Sequence, residues 1–458
     1  MAIAPEEVST AAQARAIVTE RNLTHVKVGV FDNDGVLRGK YMNREKFFAA
    51  LDKGFGFCDV VLGWDSNDQQ YDNVRFTGWH TAFPDAPVRV LPATCRAVPF
   101  EGNMLLFLGE FTDSAESVCP RATLRKVLAR AADMGFGVNA ATEFEFFMFR
   151  ETPDTVRAKH YRNLETITPG FFGYSVLRSS VHAEFYHALL KLCEDMRFPL
   201  EGLHTETGAG VLEGALQYTE ALEAADRGAL FKTFTKVLAQ RSGYMATFMA
   251  KWSNDWPGQS GHLHVSLNDK KTGESTFYDA GHPQGISEQM RWFIGGQQAL
   301  MPELLAMVAS TVNSYSRLIP GFWAPTSATW GVENRTTALR VIPGGPKSQR
   351  VEYRIAAADI NPYLALAVAI GSGLWGIEHR IEPDAAITGN AYDLKLPAKR
   401  QLPRTLNEAA QRLARSKAAQ ELFGAAFVEH YAASREWEER QFQRAVTDWE
   451  KARYFEII

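Results

Sequence analysis

Four short stretches of the sequence carry ionisable side chains two residues apart, beside apolar neighbours. The first is TEFEFFMF, which begins at Thr142 and holds Glu143 and Glu145. Residues two apart on a strand point to the same side, so we expect Phe144 and Phe146 on the face opposite the glutamates. Adjacent carboxylates disfavour each other's ionisation, so either this face is solvated or cations lie beside it.

The other three stretches repeat this alternation. In the second stretch His204 and Glu206 share a face, and Glu213 follows after a glycine-containing turn. In the third stretch His262 and His264 share a face, and in the fourth Arg350, Glu352 and Arg354 do so. A single strand of this kind is most simply explained by a solvated sheet face. Four such strands in one chain are better explained by a cavity in which five glutamates and a histidine converge.

Five carboxylates in one cavity require cations. Oxygen-rich ligation with a single imidazole suits Mg²⁺ or Mn²⁺, whereas zinc prefers more nitrogen or sulfur. Two divalent ions would nearly neutralise the group, and paired ions suit phosphoryl transfer. A set of cationic residues follows downstream: Arg317, Arg335, Arg340, Lys347, Arg350 and Arg354. Each of them alone is most simply a surface residue, but together they predict a triphosphate clamp. The chain has no Walker A sequence, and its GxGxxG match, GSGLWG from Gly371, lies inside a long apolar run rather than after a strand. A P-loop or dinucleotide fold is therefore not expected.

The elements that position these residues suggest two domains, as a chain of 458 residues allows. From about His25 to Phe111 the chain is rich in short strand-like runs, with DNDG as a turn signal. After a connecting stretch that begins at Thr112, strand-like runs alternate with long helical patterns. We therefore predict an α+β protein with a small β-rich domain over 1–115 and a large α+β domain over 116–458.

Composition gives no reason to expect a nucleic-acid or membrane partner. The chain has 49 basic and 53 acidic residues, for a net charge of −4. The longest apolar run, LALAVAIGSGLWGI from Leu364, is too short to span a bilayer, so we expect a buried helix. The N-terminus lacks the apolar run of a signal peptide, and the four cysteines are scattered without CxxC spacing. Both observations favour the cytoplasm.

Taken in order, these motifs resemble those of the glutamine synthetase family over nearly the whole chain. They are VFDNDGVLRGK, TEFEFF, HTETGAGVLE, SGHLHVSL, YSRLIPG, NRTTALRVIP and RVEYRIAAADINPY. The resemblance implies an N-terminal β-grasp domain and a catalytic domain whose curved antiparallel sheet lines a two-metal cavity. It also implies a homo-oligomer of two stacked hexameric rings, with active sites between neighbouring subunits.

The resemblance assigns a role to each candidate residue. The ligands of one metal would be Glu145, Glu206 and Glu213, and those of the second Glu143, His262 and Glu352. Substrate glutamate would contact Arg317, Arg335 and Gly258, and ATP would contact His264, Ser266, Arg335, Arg340, Lys347 and Arg350. Arg354 would lie near the transferred phosphoryl group and the glutamate γ-carboxyl.

By resemblance, ATP phosphorylates the γ-carboxylate of glutamate, and a nitrogen nucleophile then attacks γ-glutamyl phosphate. This order is chemically reasonable, because a carboxylate oxygen leaves only after phosphorylation, while metal ions and arginines stabilise the charge. Two departures concern the ammonium end. RLIPGFWAP places Trp323 where the family has a glutamate in the flap that guards the ammonium site. The aspartate that a neighbouring subunit supplies to deprotonate ammonium has no clean match, with Cys58, Asp59 and Asp65 as candidates.

A further departure is that Gly210–Val211 and WPGQSG replace the usual glycine–glutamine pair and the usual glutamate-binding stretch. Because the metal and nucleotide motifs are intact, we predict an ATP-dependent ligase that joins glutamate to a small primary amine, with Trp323 at the amine and Asp59 as its base. The alternatives are an ammonia-using glutamine synthetase with a divergent flap and a non-catalytic homologue. NAYDLKLP resembles a loop that is adenylylated on tyrosine in some bacterial glutamine synthetases, but we expect Tyr392 to be an ordinary loop residue.

Overall fold

The computed structural model describes residues 3–282 and 284–458, and its first sheet is formed by the first five strands. These strands are β1 (His25–Phe31), β2 (Leu37–Asn43), β3 (Phe55–Cys58), β4 (Asp85–Ala97) and β5 (Leu105–Phe111), in the spatial order β2-β1-β5-β4-β3. In this sheet, as far as the described residues form it, β1 and β5 are paired in parallel and the other pairs are antiparallel. The predicted DNDG turn joins β1 to β2, where Asp32 Oδ1 accepts from the Asp34 and Val36 N–H groups at 3.0 and 2.9 Å.

Two helices, α1 (Ala11–Glu20) and α2 (Arg44–Lys53), pack on one face of this sheet. Ile17 of α1 and Phe47 of α2 are fully buried in a cluster that includes Phe107 of β5. Each helix begins at a capped residue, since the side chains of Thr10 and Asn43 accept backbone N–H groups of the first turn. A sheet with helices on one face agrees with the predicted β-grasp arrangement.

The second sheet has nine strands and contains all four ionisable motifs. They are β6 (Phe136–Phe149), β7 (Leu200–Thr205), β8 (Val211–Leu216), β9 (Thr219–Glu220), β10 (Met245–Thr247), β11 (Gly261–Asp269), β12 (Trp330–Val332), β13 (Leu339–Ile342) and β14 (Arg350–Tyr353). The main order is β12-β13-β14-β11-β6-β8-β7, with β9 and β10 also paired to β6. Every pair is antiparallel except β12 with β13. The predicted α+β fold with a large antiparallel sheet is confirmed.

Twelve helices follow the first sheet in the described residues. They are α3 (Pro120–Asp133), α4 (Pro153–Ala158), α5 (Val176–Val181), α6 (Ala183–Asp195), α7 (Ala221–Arg241), α8 (Glu288–Leu304), α9 (Val312–Arg317), α10 (Pro362–Glu378), α11 (Leu406–Arg415), α12 (Lys417–Phe423), α13 (Ala425–Gln443) and α14 (Asp448–Tyr454). Of these helices, α3 and α7 contact β6, and α10 contacts β11. The apolar run from Leu364 forms most of α10 and is buried, as predicted. Among the described residues, no helix is both long and apolar enough to cross a membrane.

The connection between the two sheets is short and packed. Residues Asp113–Ser117 form a 3₁₀ turn in which Ala115 is fully buried. Leu106 of β5 and Leu124 of α3 belong to the same core cluster, so the two sheets share a hydrophobic core. The connection is therefore not an exposed linker, and a division of the chain at residues 115 and 116 remains a prediction.

Candidate active site

The glutamates of β6 lie on one face of the strand and its phenylalanines on the other. Glu143 and Glu145 line a cavity of about 640 Å³, whereas Phe144 and Phe146 are fully buried. The two rings pack against Phe231 of α7, with centre-to-centre distances of 6.3 and 6.0 Å. Burial of the aromatic face therefore fixes the direction in which the carboxylates point.

Strand register brings the other ionisable residues to the same face. Directly opposite residues of antiparallel strands share a face. The opposed pairs are Glu145 with Glu213, Glu143 with His262, His264 with Glu352, and Arg340 with Glu352. The cavity is lined by all six residues that the resemblance assigns to metals, namely Glu143, Glu145, Glu206, Glu213, His262 and Glu352.

The first group of candidate metal ligands surrounds Glu143. His262 Nδ1 is 3.4 Å from Glu352 Oε1 and 3.6 Å from Glu143 Oε2, and His264 Nε2 is 3.0 Å from Glu143 Oε1. Burial opposes ionisation of Glu143, but His264 and His262 outweigh it and hold the Glu143 pKa well below the usual range. Ligand atoms of Glu143, His264 and Glu352 all lie within 4.8 Å of one another. Both histidines are therefore close enough to serve an ion at this position.

The second group lies where β7 and β8 end next to β6. Ligand atoms of His204, Glu206 and Glu213 lie within 4.8 Å of one another. His204 Nε2 is 3.4 Å from Glu206 Oε1 and 3.8 Å from Glu213 Oε1. Glu145, the remaining predicted ligand of this ion, is directly opposite Glu213, and its Oε2 accepts from the Ser260 N–H at 2.6 Å.

Glu213 shows how crowded these carboxylates are. Burial raises its pKa to about 10, and the nearby Glu145 and Glu143 carboxylates add to this effect. Without a cation, the group therefore retains a proton. Carboxylate oxygens with few imidazole nitrogens fit Mg²⁺ or Mn²⁺ better than zinc. The two groups of donors fit two hard divalent cations.

Arginines complete the lining of the cavity. Arg340 Nη1 donates to Glu352 Oε2 at 3.0 Å, and Arg354 also pairs with Glu352. Burial opposes ionisation of Glu352, but His262 and then Arg354 lower its pKa to about 2. The cationic side chains that line the cavity are Arg335, Arg340, Arg350 and Arg354. This positive charge suits an anionic ligand such as a phosphate or a carboxylate.

Arg317 lies behind this wall. Its side chain is 1% exposed and donates to Ser260 Oγ at 2.8 Å and to the carbonyl oxygens of Ile355 and Arg354 at 2.9 and 3.1 Å. Gly258 does line the cavity, and a Cβ there would be 2.6 Å from Arg317 Cγ. Glycine therefore permits the close packing of this loop on the arginine. Contact of Arg317 with glutamate remains a prediction.

A second cavity, of about 430 Å³, adjoins the first. Glu143, His264 and Arg350 line both cavities, so the two meet at the first group of candidate ligands. Ser266 and Lys347, which the resemblance assigns to ATP, line the second cavity. Both volumes lie in the range of about 300–1,000 Å³ that is usual for small-molecule sites.

Phe322 and Trp323 form the lip of the first cavity. They belong to residues 318–326, which we call the flap. Its turn has two residues in the left-handed region, Gly321 at φ +84° and Trp323 at φ +61°. Trp323 is 58% exposed, and the Tyr392 hydroxyl donates to the Ala324 carbonyl oxygen at 3.1 Å. The aromatic lip is thus present at the edge of the carboxylate cavity.

The two aspartates considered as the base do not line this cavity within one chain. Asp59 is 4% exposed, its Oδ1 accepts from Thr77 Oγ1 at 2.6 Å, and burial raises its pKa. Asp65 Oδ1 accepts from two backbone N–H groups of its own loop. The prediction placed the base on a neighbouring subunit, so the position of Asp59 in one chain leaves that prediction open.

Three further residues lie in or beside the cavities, and none of them was assigned a role from the sequence: Tyr174 and Tyr218 line the cavities, and His204 lies beside Glu206 and Glu213. His204 shares a strand face with Glu206, and this alternation was the signal that could have identified it. The Tyr174 ring stacks on His204 at 4.4 Å with an interplanar angle of 11°, and Tyr218 lines the second cavity. Both tyrosines lie outside the regular strands and helices, where sequence periodicity gives no signal.

Comparison with known proteins gives a consistent result. The profile described as "Glutamine synthetase, catalytic domain" matches residues 117–454. A type-1 glutamine synthetase 2 from Dictyostelium discoideum is 45% identical over 438 residues, which cover 94% of this chain and 84% of the relative. A glutamate–isopropylamine ligase from a Pseudomonas species is 35% identical, over 97% of this chain and 98% of the relative.

A third relative, the γ-glutamylethanolamide synthetase GlnA4 of Streptomyces coelicolor, is 34% identical over 97% of this chain and 95% of its own length. Among solved structures, a GmaS/ADP complex superposes with a TM-score of 0.84 at 25% identity, over 96% of this chain and 99% of that chain. Apo GmaS without ligand gives a TM-score of 0.83 at the same identity and coverage. The predicted fold and family are confirmed. The relatives of this chain include glutamate–amine ligases, and the chain belongs to the glutamine synthetase family of ligases.

Proposed function

We propose that this protein is an ATP-dependent ligase that joins the γ-carboxyl group of L-glutamate to a small primary amine through γ-glutamyl phosphate. The observation that carries this proposal is Trp323, which borders the carboxylate cavity from the flap. An ammonium ion arrives charged and needs an anionic pocket, whereas an indole ring offers an apolar wall. Such a wall favours the hydrocarbon part of an amine through burial.

Two relatives support an amine as the nucleophile. Their names specify isopropylamine and ethanolamide, and both align with this chain over nearly its full length. Long polyamines are less favoured, because their second charge would need an additional acidic group beyond the carboxylates that face the cations.

The two cavities suggest the path of the phosphoryl group. We place ATP in the second cavity, along Ser266 and Lys347, with its terminal phosphate at the wall formed by His264 and Arg350. Arg340 and Arg354 then face the transferred group from the first cavity and stabilise its charge. Divalent cations held by Glu143, His262, Glu352 and by Glu145, Glu206, Glu213 would neutralise phosphate charge and orient the reactants.

Amide formation follows at the lip. The amine nitrogen attacks the carbonyl carbon of γ-glutamyl phosphate, the bond from that carbon to the phosphate oxygen breaks, and inorganic phosphate leaves. Trp323 holds an alkylammonium ion by cation–π attraction of about 0.5–2 kcal/mol before it loses its proton. We assign the base to Asp59, with Asp65 as the alternative, from a neighbouring subunit.

Glutamate- and ATP-dependent phosphate release tests the proposal. The panel would contain ammonium, methylamine, ethylamine, isopropylamine, aniline and putrescine, with the products identified by mass spectrometry. We expect a higher kcat/KM for at least one monoamine than for ammonium. Preference for ammonium over every amine would overturn the proposal and identify a glutamine synthetase, the candidate that the 45% identical Dictyostelium relative favours. Absence of phosphate release with every nucleophile would indicate a non-catalytic homologue.

We also propose a cytoplasmic assembly of two stacked hexameric rings. The C-terminal residues support an assembly, because Phe455, Ile457 and Ile458 are 90%, 82% and 92% exposed in the single chain. Apolar side chains at this exposure are usually covered by a partner. Native mass spectrometry of the full chain and of a chain that lacks the last four residues would test whether this tail holds the rings together.

A further inference from the structure

Lys251 lies at the contact between two loops that border the first cavity. The residue is 5% exposed, and its Nζ donates to the Trp256 carbonyl oxygen at 2.9 Å. The same Nζ lies 5.0 Å from the centre of the Phe322 ring. Among the described residues, no carboxylate forms a salt bridge with it. The ring and the carbonyl are thus the groups that face this ammonium ion.

The loop that carries Lys251 is fixed. The Lys251 N–H donates to Asn313 Oδ1 at 2.8 Å, and its carbonyl oxygen accepts from Asn313 Nδ2 at 2.7 Å. The Gln259 N–H donates to the Ala250 carbonyl oxygen at 2.7 Å and closes the loop at its base. Asn313 belongs to α9, the helix that precedes the flap. The ammonium group therefore has a defined position relative to the flap.

The flap itself needs support. A tryptophan in the left-handed region is strained and persists only where its surroundings hold it. Phe322 and Trp323 are 37% and 58% exposed, so burial contributes little to holding them. A cation–π contact is stronger when the cation is removed from water. Lys251 meets this condition, because it is buried.

We propose that Lys251 is a positioning residue for the flap: held by the Trp256 carbonyl, it attracts the Phe322 ring and so keeps Trp323 at the amine side of the cavity. This inference rests on the proposed function, because that function places the amine at the side of the cavity next to Trp323. A positioned flap has two consequences. It sets the affinity for the amine, and it keeps water away from γ-glutamyl phosphate.

The test compares Lys251→Met, Lys251→Arg and Phe322→Leu with the wild type, and Lys46→Met, at an exposed lysine of α2, serves as the matched control. The measurements are KM for the preferred amine, KM for glutamate, and phosphate released with glutamate and ATP but without amine. We expect Lys251→Met to raise the amine KM about fivefold and to increase the amine-independent release. The glutamate KM should stay within about twofold, and Lys251→Arg should restore most of the amine KM because a guanidinium also binds aromatic faces.

Three results would overturn the inference: an equal rise of both KM values in Lys251→Met, no recovery in Lys251→Arg, or independent effects of Lys251→Met and Phe322→Leu in the double variant. If Lys251→Met does not fold, the amine KM values of Phe322→Leu and Phe322→Tyr are compared instead. Only Phe322→Tyr keeps a ring for the cation, so only Phe322→Leu should raise this KM. The wild-type preference separates this inference from the proposed function. If the wild type prefers ammonium, the proposed function is wrong. The role of Lys251 is then tested by the KM for ammonium and by the phosphate released without a nitrogen nucleophile.

Discussion

Glu145 and Glu213 are directly opposite each other in the antiparallel pairing of β6 and β8. Like charges in this relationship destabilise a sheet, and here burial adds to the cost, because it raises the Glu213 pKa to about 10. The pair is stable only while a proton or a cation lies between the two strands. The structure thus makes metal binding and protonation alternatives at the same carboxylates.

Metal affinity should therefore increase with pH. A carboxyl group with a raised pKa holds its proton until the pH approaches that pKa, and the cation must displace it. We expect the apparent affinity for Mn²⁺ to rise about tenfold per pH unit between about pH 6 and about pH 8, measured by calorimetry or by the metal-induced shift in Tm. Glu213→Gln removes the titrating proton, so its slope should be smaller. A wild-type affinity that is independent of pH would contradict the assignment.

The metal-free protein should respond to pH in the opposite direction. The Glu213 carboxyl group ionises near its ordinary pKa of 4.5 when unfolded and near 10 when folded. Its contribution to stability is therefore fully present below about pH 4.5 and is lost as the pH rises toward the folded pKa. The free energy of unfolding in chelator should fall over this interval, and less so in Glu213→Gln. Equal pH profiles for the two proteins would contradict this expectation.

Removal of one ligand from each group should abolish turnover without unfolding the chain. We expect Glu145→Ala and Glu352→Ala each to lower kcat by at least about 10²–10³-fold, because each removes charge stabilisation that acts in the transition state. Glu165→Ala, at an exposed glutamate paired with Arg150 on the surface, is the matched control. Far-UV circular dichroism would verify the fold, and near-normal activity in either cavity variant would exclude the two-metal assignment.

Substitution of Trp323 should change the choice of nucleophile. Trp323→Glu places a carboxylate at the lip, so the ratio of kcat/KM for ammonium to that for the preferred monoamine should rise about tenfold. Trp323→Phe keeps an aromatic wall and should keep the amine preference. Competition between the two nucleophiles, with products quantified by mass spectrometry, measures the ratio directly. An unchanged ratio in Trp323→Glu would show that the flap does not select the amine.

Tyr392 should carry no AMP in the native protein. Its hydroxyl donates to the Ala324 carbonyl oxygen of the flap, and the side chain is only partly exposed. Burial also raises its pKa, which makes the hydroxyl a weaker nucleophile near neutral pH. Intact-mass and peptide mass spectrometry of protein from its own host would detect adenylylation, and AMP on this residue would contradict the expectation.

The sequence predicted those parts of the site that depend on strand periodicity. The alternation in TEFEFFMF specified which residues share a face, because a period of two is a local property of the backbone. Periodicity also placed His262 and His264 together, but only the three-dimensional spacing shows that His264 lies closer to Glu143, at 3.0 Å against 3.6 Å for His262.

Other parts of the site depend on contacts that the sequence does not encode locally. Tyr174 reaches His204 from an irregular segment, with φ at +54°, and nothing in its neighbours indicates that stacking. The packing of Lys251 on Phe322 likewise joins residues 71 positions apart through two loops. The prediction that Asp59 is the base requires a contact between subunits, which is not a local property of the sequence.

The alternation of β6 also limits how the length of this strand can change. Insertion or deletion of one residue before Glu143 would turn every following side chain to the other face. Both glutamates would then enter the space packed by Phe231, and both phenylalanines would enter the cavity. Catalysis and the hydrophobic core would fail together, so natural or engineered length variants should be confined to the loops that flank β6.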